Sequence, residues 1–167
     1  MEALEAIAAR RSIRKYKPDP VPRDVLERIV DAGRLAPTAH NDQPWEFIVV
    51  TDAALRRRLA DTTDYGKFIA EAPACIVTLS QPTRYYVEDG SAATTNMLLA
   101  AAALGVGACW VAGDKKPYAA KITSLCRAPA NLKLVSLIAV GYPSEVPTPE
   151  KRSLQEVLHW EHHRQAT

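Results

Sequence analysis

Residues 36–51 read APTAHNDQPWEFIVVT. Pro37 and Pro44 bracket a polar loop, and the apolar run WEFIVVT after it reads as a strand buried on both faces. Everything before the loop is helical in pattern. Glu2 to Arg11 places Ala3, Leu4, Ile7 and Ala8 at helical spacing, and Arg23 to Leu35 repeats it through Val25, Leu26, Ile29, Val30 and Ala32. Pro18, Pro20 and Pro22 stiffen the connection between them. Two helices therefore precede the first strand, which is not the order of a doubly wound sheet.

The elements after the loop fit the same picture. Asp52 or Thr51 can cap a helix over Ala53 to Ala60, and Phe68 to Glu71 reads as one short turn. ACIVTLS is a second buried strand. Glu88 to Leu104 is a long Ala-rich helix, apolar on most sides, and belongs in the middle of the fold. GACWVAG is a short third strand, Lys116 to Arg127 an amphipathic helix, and LKLVSLIAVGYP a fourth strand ended by Gly141 and Pro143. Leu154 to Trp160 is a last short helix or turn. Neighbouring strands are not joined by regular single helices, so the expected class is α+β, around a small mixed or antiparallel sheet, in one domain over residues 1–167. Gly105 and Gly107 resemble part of a dinucleotide fingerprint, but the third glycine is missing and the order is helix to strand, so that reading fails.

Composition narrows the partners. The chain has 167 residues, 21 basic against 19 acidic, with net charge +2, which argues for neither nucleic acid nor an anionic membrane. Met1 is followed by Glu2 and Glu5, unlike a secretory leader, and no apolar run has the length of a membrane span. Cys75, Cys109 and Cys126 are odd in number, far apart and in apolar settings, which suits reduced thiols and a cytoplasmic location.

Three stretches carry candidate chemistry. RRSIRKY puts Arg10, Arg11, Arg14, Lys15 and, just beyond, Lys17 within eight residues. Arg10 and Arg14 share a helix face if the first helix persists, and guanidinium forks fit phosphate oxygens, with Ser12 adding a hydroxyl. Cations at a helix C-terminus pointing into solvent are the plainer alternative. In the polar loop, Thr38, Asn41 and Gln43 can read the edge of a heteroaromatic ring, or simply close an Asx turn. Near the end, PEKRSL offers Lys151 and Arg152 as an anion contact or a solvated tail. A metal reading of Glu156, His159, His162 and His163 requires the last helix to continue through them; no metal site is expected.

Taken in order, RRSIRKY, APTAHNDQPWEFIVV, LGVGACWV and LIAVGYPSEVPTPEKRSLQEVLHW resemble the FMN-dependent nitroreductase family in its short form, over nearly the whole chain. The resemblance implies an α+β sandwich, an intertwined homodimer, and one FMN in each of two sites at the dimer interface. It implies that Arg10, Arg11, Ser12 and Arg14 hold the phosphate and ribityl chain, and that Thr38, Ala39 and Asn41 reach the flavin of the other subunit. Trp110, Val111, Ala112 and Gly113 would lie beside the isoalloxazine, and Lys151 and Arg152 would return to the phosphate. The implied activity is ping-pong electron transfer from NADH or NADPH to a nitroaromatic, a quinone or a similar small acceptor. A flavin-binding protein without turnover, and the dehalogenating or flavin-cleaving branches of the family, are the alternatives. No side chain is expected to act as a nucleophile or catalytic acid. Three departures stand out: Ala39 replaces a common hydroxyl, Lys151 and Arg152 are adjacent where many relatives separate the pair, and the segment 80–88 is short.

Overall fold

The computed structural model describes residues 1–163. Four strands form one antiparallel sheet in the order β1-β2-β4-β3: β1 (Trp45–Val50), β2 (Ala74–Ser80), β3 (Gly107–Ala112) and β4 (Lys133–Gly141). Among the described residues six α-helices accompany it: α1 (Ala3–Ala9), α2 (Arg23–Arg34), α3 (Ala53–Thr62), α4 (Tyr86–Ala103), α5 (Ala119–Leu125) and α6 (Leu154–Val157).

Period-two alternation splits the sheet between two cores. Val77, Leu79, Val111, Leu137 and Ala139 face α3, α5 and the turn Lys67–Ala70. Ile76, Ala108, Ile138 and Val140 face α2 and α4. β2 and β4 sit in the middle and are apolar on both sides, as expected of strands covered by two layers. β1 is different. It is an edge strand, and Glu46 and Val49 are exposed, so it is not buried on both faces as its apolar run suggested.

α4 supplies the packing centre of one layer. Asp89, Ala93, Met97 and Ala101 repeat every four residues, and Gly90, Thr94 and Leu98 lie beside them; all seven are buried. Gly90 allows the helix to touch the sheet, since a Cβ there would stand 2.7 Å from Val135 Cγ2. One turn on, the Thr94 and Ser136 hydroxyls meet at 2.8 Å. Asn96 Nδ2 donates to Ala32 O of α2 at 3.1 Å. The helix begins at Tyr86, two residues earlier than the sequence pattern suggests.

α1 ends at Ala9, not at Arg11. Arg10 has φ −56° and ψ 129°, and from there the chain is extended. Ser12 pairs in parallel with Ala108, and Ile13 N donates to Ala108 O at 3.0 Å. The cause is Ile13: it packs on Gly107, where a Cβ would lie 2.9 Å from Ile13 Cγ1. Burying an isoleucine is worth about 1.5–3 kcal/mol, more than one further helical hydrogen bond contributes.

Candidate functional site

The arginine-rich stretch is therefore a strand-like segment on the open edge of β3, not the last turn of a helix. Arg10 and Arg14 do not share a helix face; they share a stretch of sheet edge. Neither guanidinium hydrogen-bonds or ion-pairs with another of the described residues; Arg14 lies 5.9 Å over the Phe68 ring. Arg11 behaves differently. Its Nη1 donates to Ala8 O at 2.6 Å and Arg10 O at 2.8 Å, capping the C-terminus of α1. Ser12 stands beside the Cys109 thiol, whose pKa burial pushes up while Arg14, Ser12 and Arg10 pull it down.

The segment is anchored by a residue the sequence reading missed. Glu145 Oε1 accepts the backbone N–H of Arg14 at 2.7 Å and of Lys15 at 3.1 Å. Ser144 N donates to Lys15 O, and Lys17 N to Tyr142 O, so the segment is stitched to the chain leaving β4. Nothing in the spacing announced Glu145, because the pairing spans the whole protein. A cleft of about 210 Å³ opens here, lined by Arg10, Arg11, Ile13, Leu98, Ala102 and Glu145 among others. A larger cleft of about 570 Å³ lies against α5, lined by Lys116, Arg127 and Lys133. Of the two unpaired arginines, Arg10 lines the smaller cleft, whereas Arg14 lies over Phe68 instead.

Trp110 to Gly113 continue along the same edge. Ala108 pairs with Ser12, and Trp110 follows two residues later, so the structure brings these two predicted segments together. Trp110 is half-buried, Val111 and Gly113 are buried, and Ala112 is exposed. Gly113 N donates to Val135 O at 3.1 Å, and Tyr86 Oη donates to Asp114 Oδ1 at 2.6 Å, tying the end of β3 to α4.

The polar loop lies elsewhere. Thr38, Ala39 and Asn41 lead into β1, at the opposite edge of the sheet from β3. Three inter-strand spacings, about 14 Å, separate the edges. Thr38 Oγ1 accepts Gln43 N at 3.2 Å, and Ala39 N donates to Asp89 Oδ1 at 3.0 Å. Asp89 was also missed, although its four-residue spacing with Ala93, Met97 and Ala101 puts it on the buried stripe of α4. Lys151 and Arg152 are exposed; Arg152 Nη2 donates to Glu156 O at 3.0 Å, and no bond among the described residues ties either to Arg10 or Arg14. α6 stops at Val157, so Glu156, His159, His162 and His163 do not share a helix face. The His159 and His163 rings instead lie 4.0 Å apart.

Two guanidinium groups without an ion pair among the described residues, with Ser12 between them on one sheet edge, fit the phosphate and ribityl end of a flavin nucleotide. The comparisons agree with this chemistry. A profile of the Nitroreductase family matches residues 7–71 and 62–142. A protein of Archaeoglobus fulgidus, provisionally named an NADH dehydrogenase/NAD(P)H nitroreductase, is 36% identical over 151 residues, covering 86% of this chain and 87% of its own. The crystal structure of a provisionally named nitroreductase from Desulfovibrio desulfuricans in complex with FMN superposes with a TM-score of 0.86 at 33% identity, covering 98% of this chain and 99% of the other. More distantly, the iodotyrosine deiodinase of Danio rerio is 25% identical over 188 residues, covering 89% of this chain and 63% of its own.

Proposed function

This chain belongs to the nitroreductase family, and from that premise we propose that residues 1–167 form one FMN-dependent oxidoreductase domain that works as a homodimer. The enzyme takes electrons from a reduced nicotinamide, NADH or NADPH. Its acceptors are nitroaromatics, quinones or similar small electron acceptors, and its kinetics are ping-pong. Bound FMN supplies the redox chemistry, receiving electrons from one substrate and passing them to the next in the same pocket.

The chain's own residues bind and orient. Arg10 and Arg14 clamp the phosphate, because their guanidinium groups form no ion pair among the described residues, and Ser12 turns its hydroxyl from the Cys109 thiol to the phosphate. Arg11 supports the site by capping α1 rather than by touching phosphate. Trp110, Val111, Ala112 and Gly113 run beside the ring, and small side chains at Ala112 and Gly113 leave it room. Thr38, Ala39 and Asn41 reach the flavin bound by the partner subunit, since their own arginines lie across the sheet. The Ala39 N–H is taken by Asp89, so Ala39 shapes the loop for Thr38 and Asn41. Lys151 and Arg152 extend on the exposed tail toward a phosphate of the dimer.

The uncompensated guanidinium pair of Arg10 and Arg14 on the β3 edge carries this reading. A dehalogenating activity is the second reading, motivated by the deiodinase relatives. The short connection from Gln81 to Tyr85 between β2 and α4 leaves little cover over a bound substrate, which favours promiscuous reduction. Initial rates with NADH or NADPH varied against a nitroaromatic and a quinone test the proposal. Parallel double-reciprocal lines are expected. Intersecting lines overturn the ping-pong order, and turnover of halotyrosine alone overturns the acceptor class.

A further inference from the structure

We propose that Asp89 is the positioning residue for the 38–43 loop, holding it in the shape that presents Thr38 and Asn41 to the flavin. The proposal rests on the flavin site described above. Asp89 lies in the first turn of α4, where the helix N-terminus favours a carboxylate, and is only 5% exposed. Its Oδ1 accepts the Ala39 N–H at 3.0 Å, a bond across 50 residues of sequence. Its Oδ2 is buried and has no hydrogen-bond partner among the described residues.

The loop needs such an anchor. His40, Asn41 and Gln43 have φ of 54°, 59° and 47°, a left-handed conformation that residues other than glycine rarely adopt. Three such residues within four positions are held only where the surroundings over-determine them. The bonds inside the loop, from Asn41 N to Thr38 O, Asp42 N to Ala39 O, Gln43 N to Thr38 Oγ1 and Gln43 Nε2 to Asn41 O, shape it but do not fix it to the body of the protein. Below it, Gln81 N donates to Pro44 O and holds the strand entry. Above it, the Asp89 to Ala39 bond is the tie.

Stability alone does not account for Asp89. A buried carboxylate with one donor costs desolvation that its single bond returns poorly, and an apolar residue of similar size is commonly neutral or stabilising at such positions. The neighbours at four-residue spacing, Ala93 and Met97, are apolar and pack without help. The charge makes sense as a strong acceptor for one amide of a strained loop that reads a ligand.

Titration of flavin-free protein with FMN, followed by quenching of FMN fluorescence, tests this. Asp89→Leu and Asp89→Ala should each weaken FMN binding about tenfold or more, the loss expected for one hydrogen bond to a charged acceptor. Asp89→Asn keeps an acceptor for the Ala39 N–H and should stay within about threefold of the parent. Adding Asp89→Leu to Asn41→Ala should cost little further, because both act through the loop. Additive losses in the double variant overturn the proposal, as does unchanged affinity in Asp89→Leu, whatever happens to the melting temperature. If the parent binds FMN and Asn41→Ala weakens it while Asp89→Leu does not, only this proposal fails. If Asn41→Ala leaves binding unchanged, the flavin role of the loop fails and takes the proposal with it.

Discussion

Arg14→Ala or Arg10→Ala should weaken FMN binding, each lost charge-assisted contact being worth about 1.5–3 kcal/mol. Ser12→Ala should cost less. Arg23→Ala is the control, because its side chain is 92% exposed and pairs with Glu27; a control that loses as much as Arg14→Ala sinks the assignment. Arg11→Ala should instead lower the melting temperature with little change in FMN affinity, since Arg11 serves the end of α1. A second residue-scale prediction concerns alkali. Burial pushes the Cys75 thiol from its ordinary 9.0 up to about 12, and raises Tyr16 as well. The unfolded chain therefore releases protons first, so stability is full below about pH 9 and falls as pH rises through the window toward 12. Melting temperatures should drop from about pH 8 to about pH 10, less steeply in Cys75→Ala; a flat profile contradicts the buried neutral thiol. At this scale the sequence grouped the basic residues but did not separate Arg11, which caps α1, from Arg10 and Arg14, which form no ion pair among the described residues. The separation follows from where α1 stops, and that depends on Ile13 meeting Gly107, a contact between positions far apart in the chain.

Among the elements, α4 carries the most consequence. Gly90→Ala should destabilise the fold by about 1–3 kcal/mol, because a Cβ there meets Val135 Cγ2 at 2.7 Å and a branched side chain in the sheet cannot swing away. Equilibrium unfolding in denaturant measures it, and a neutral result would mean that the helix can lift off the sheet at no cost. The same helix shows what was legible. Its length and burial followed from the Ala-rich pattern, and β2 and β4 from their unbroken apolar runs. β1 was misread because a run of apolar residues cannot report which strand lies at an edge. The two carboxylates that anchor the arginine segment and the polar loop, Glu145 and Asp89, escaped because they bond backbone amides, which leaves no mark on residue spacing.

On the scale of the whole molecule, the arginine segment and the polar loop sit at opposite edges of one sheet, and the proposed homodimer would bring them together. The exposed apolar residues suit such an arrangement: Leu4 is 79% exposed, Ile7 54%, Val146 89% and Trp160 73%. Ile7→Glu changes an exposed position on α1 and should give folded monomers that lose FMN, read by sedimentation with absorbance at the flavin band. A monomer that keeps full FMN would place the site within one chain. The most direct test of the account as a whole is the visible spectrum of the purified protein, reconstituted with FMN and then treated with NADH or NADPH without oxygen. The account predicts flavin bands from FMN released on heating, and their bleaching by the reduced nicotinamide. A protein that takes up no FMN, or holds it without bleaching, would contradict it.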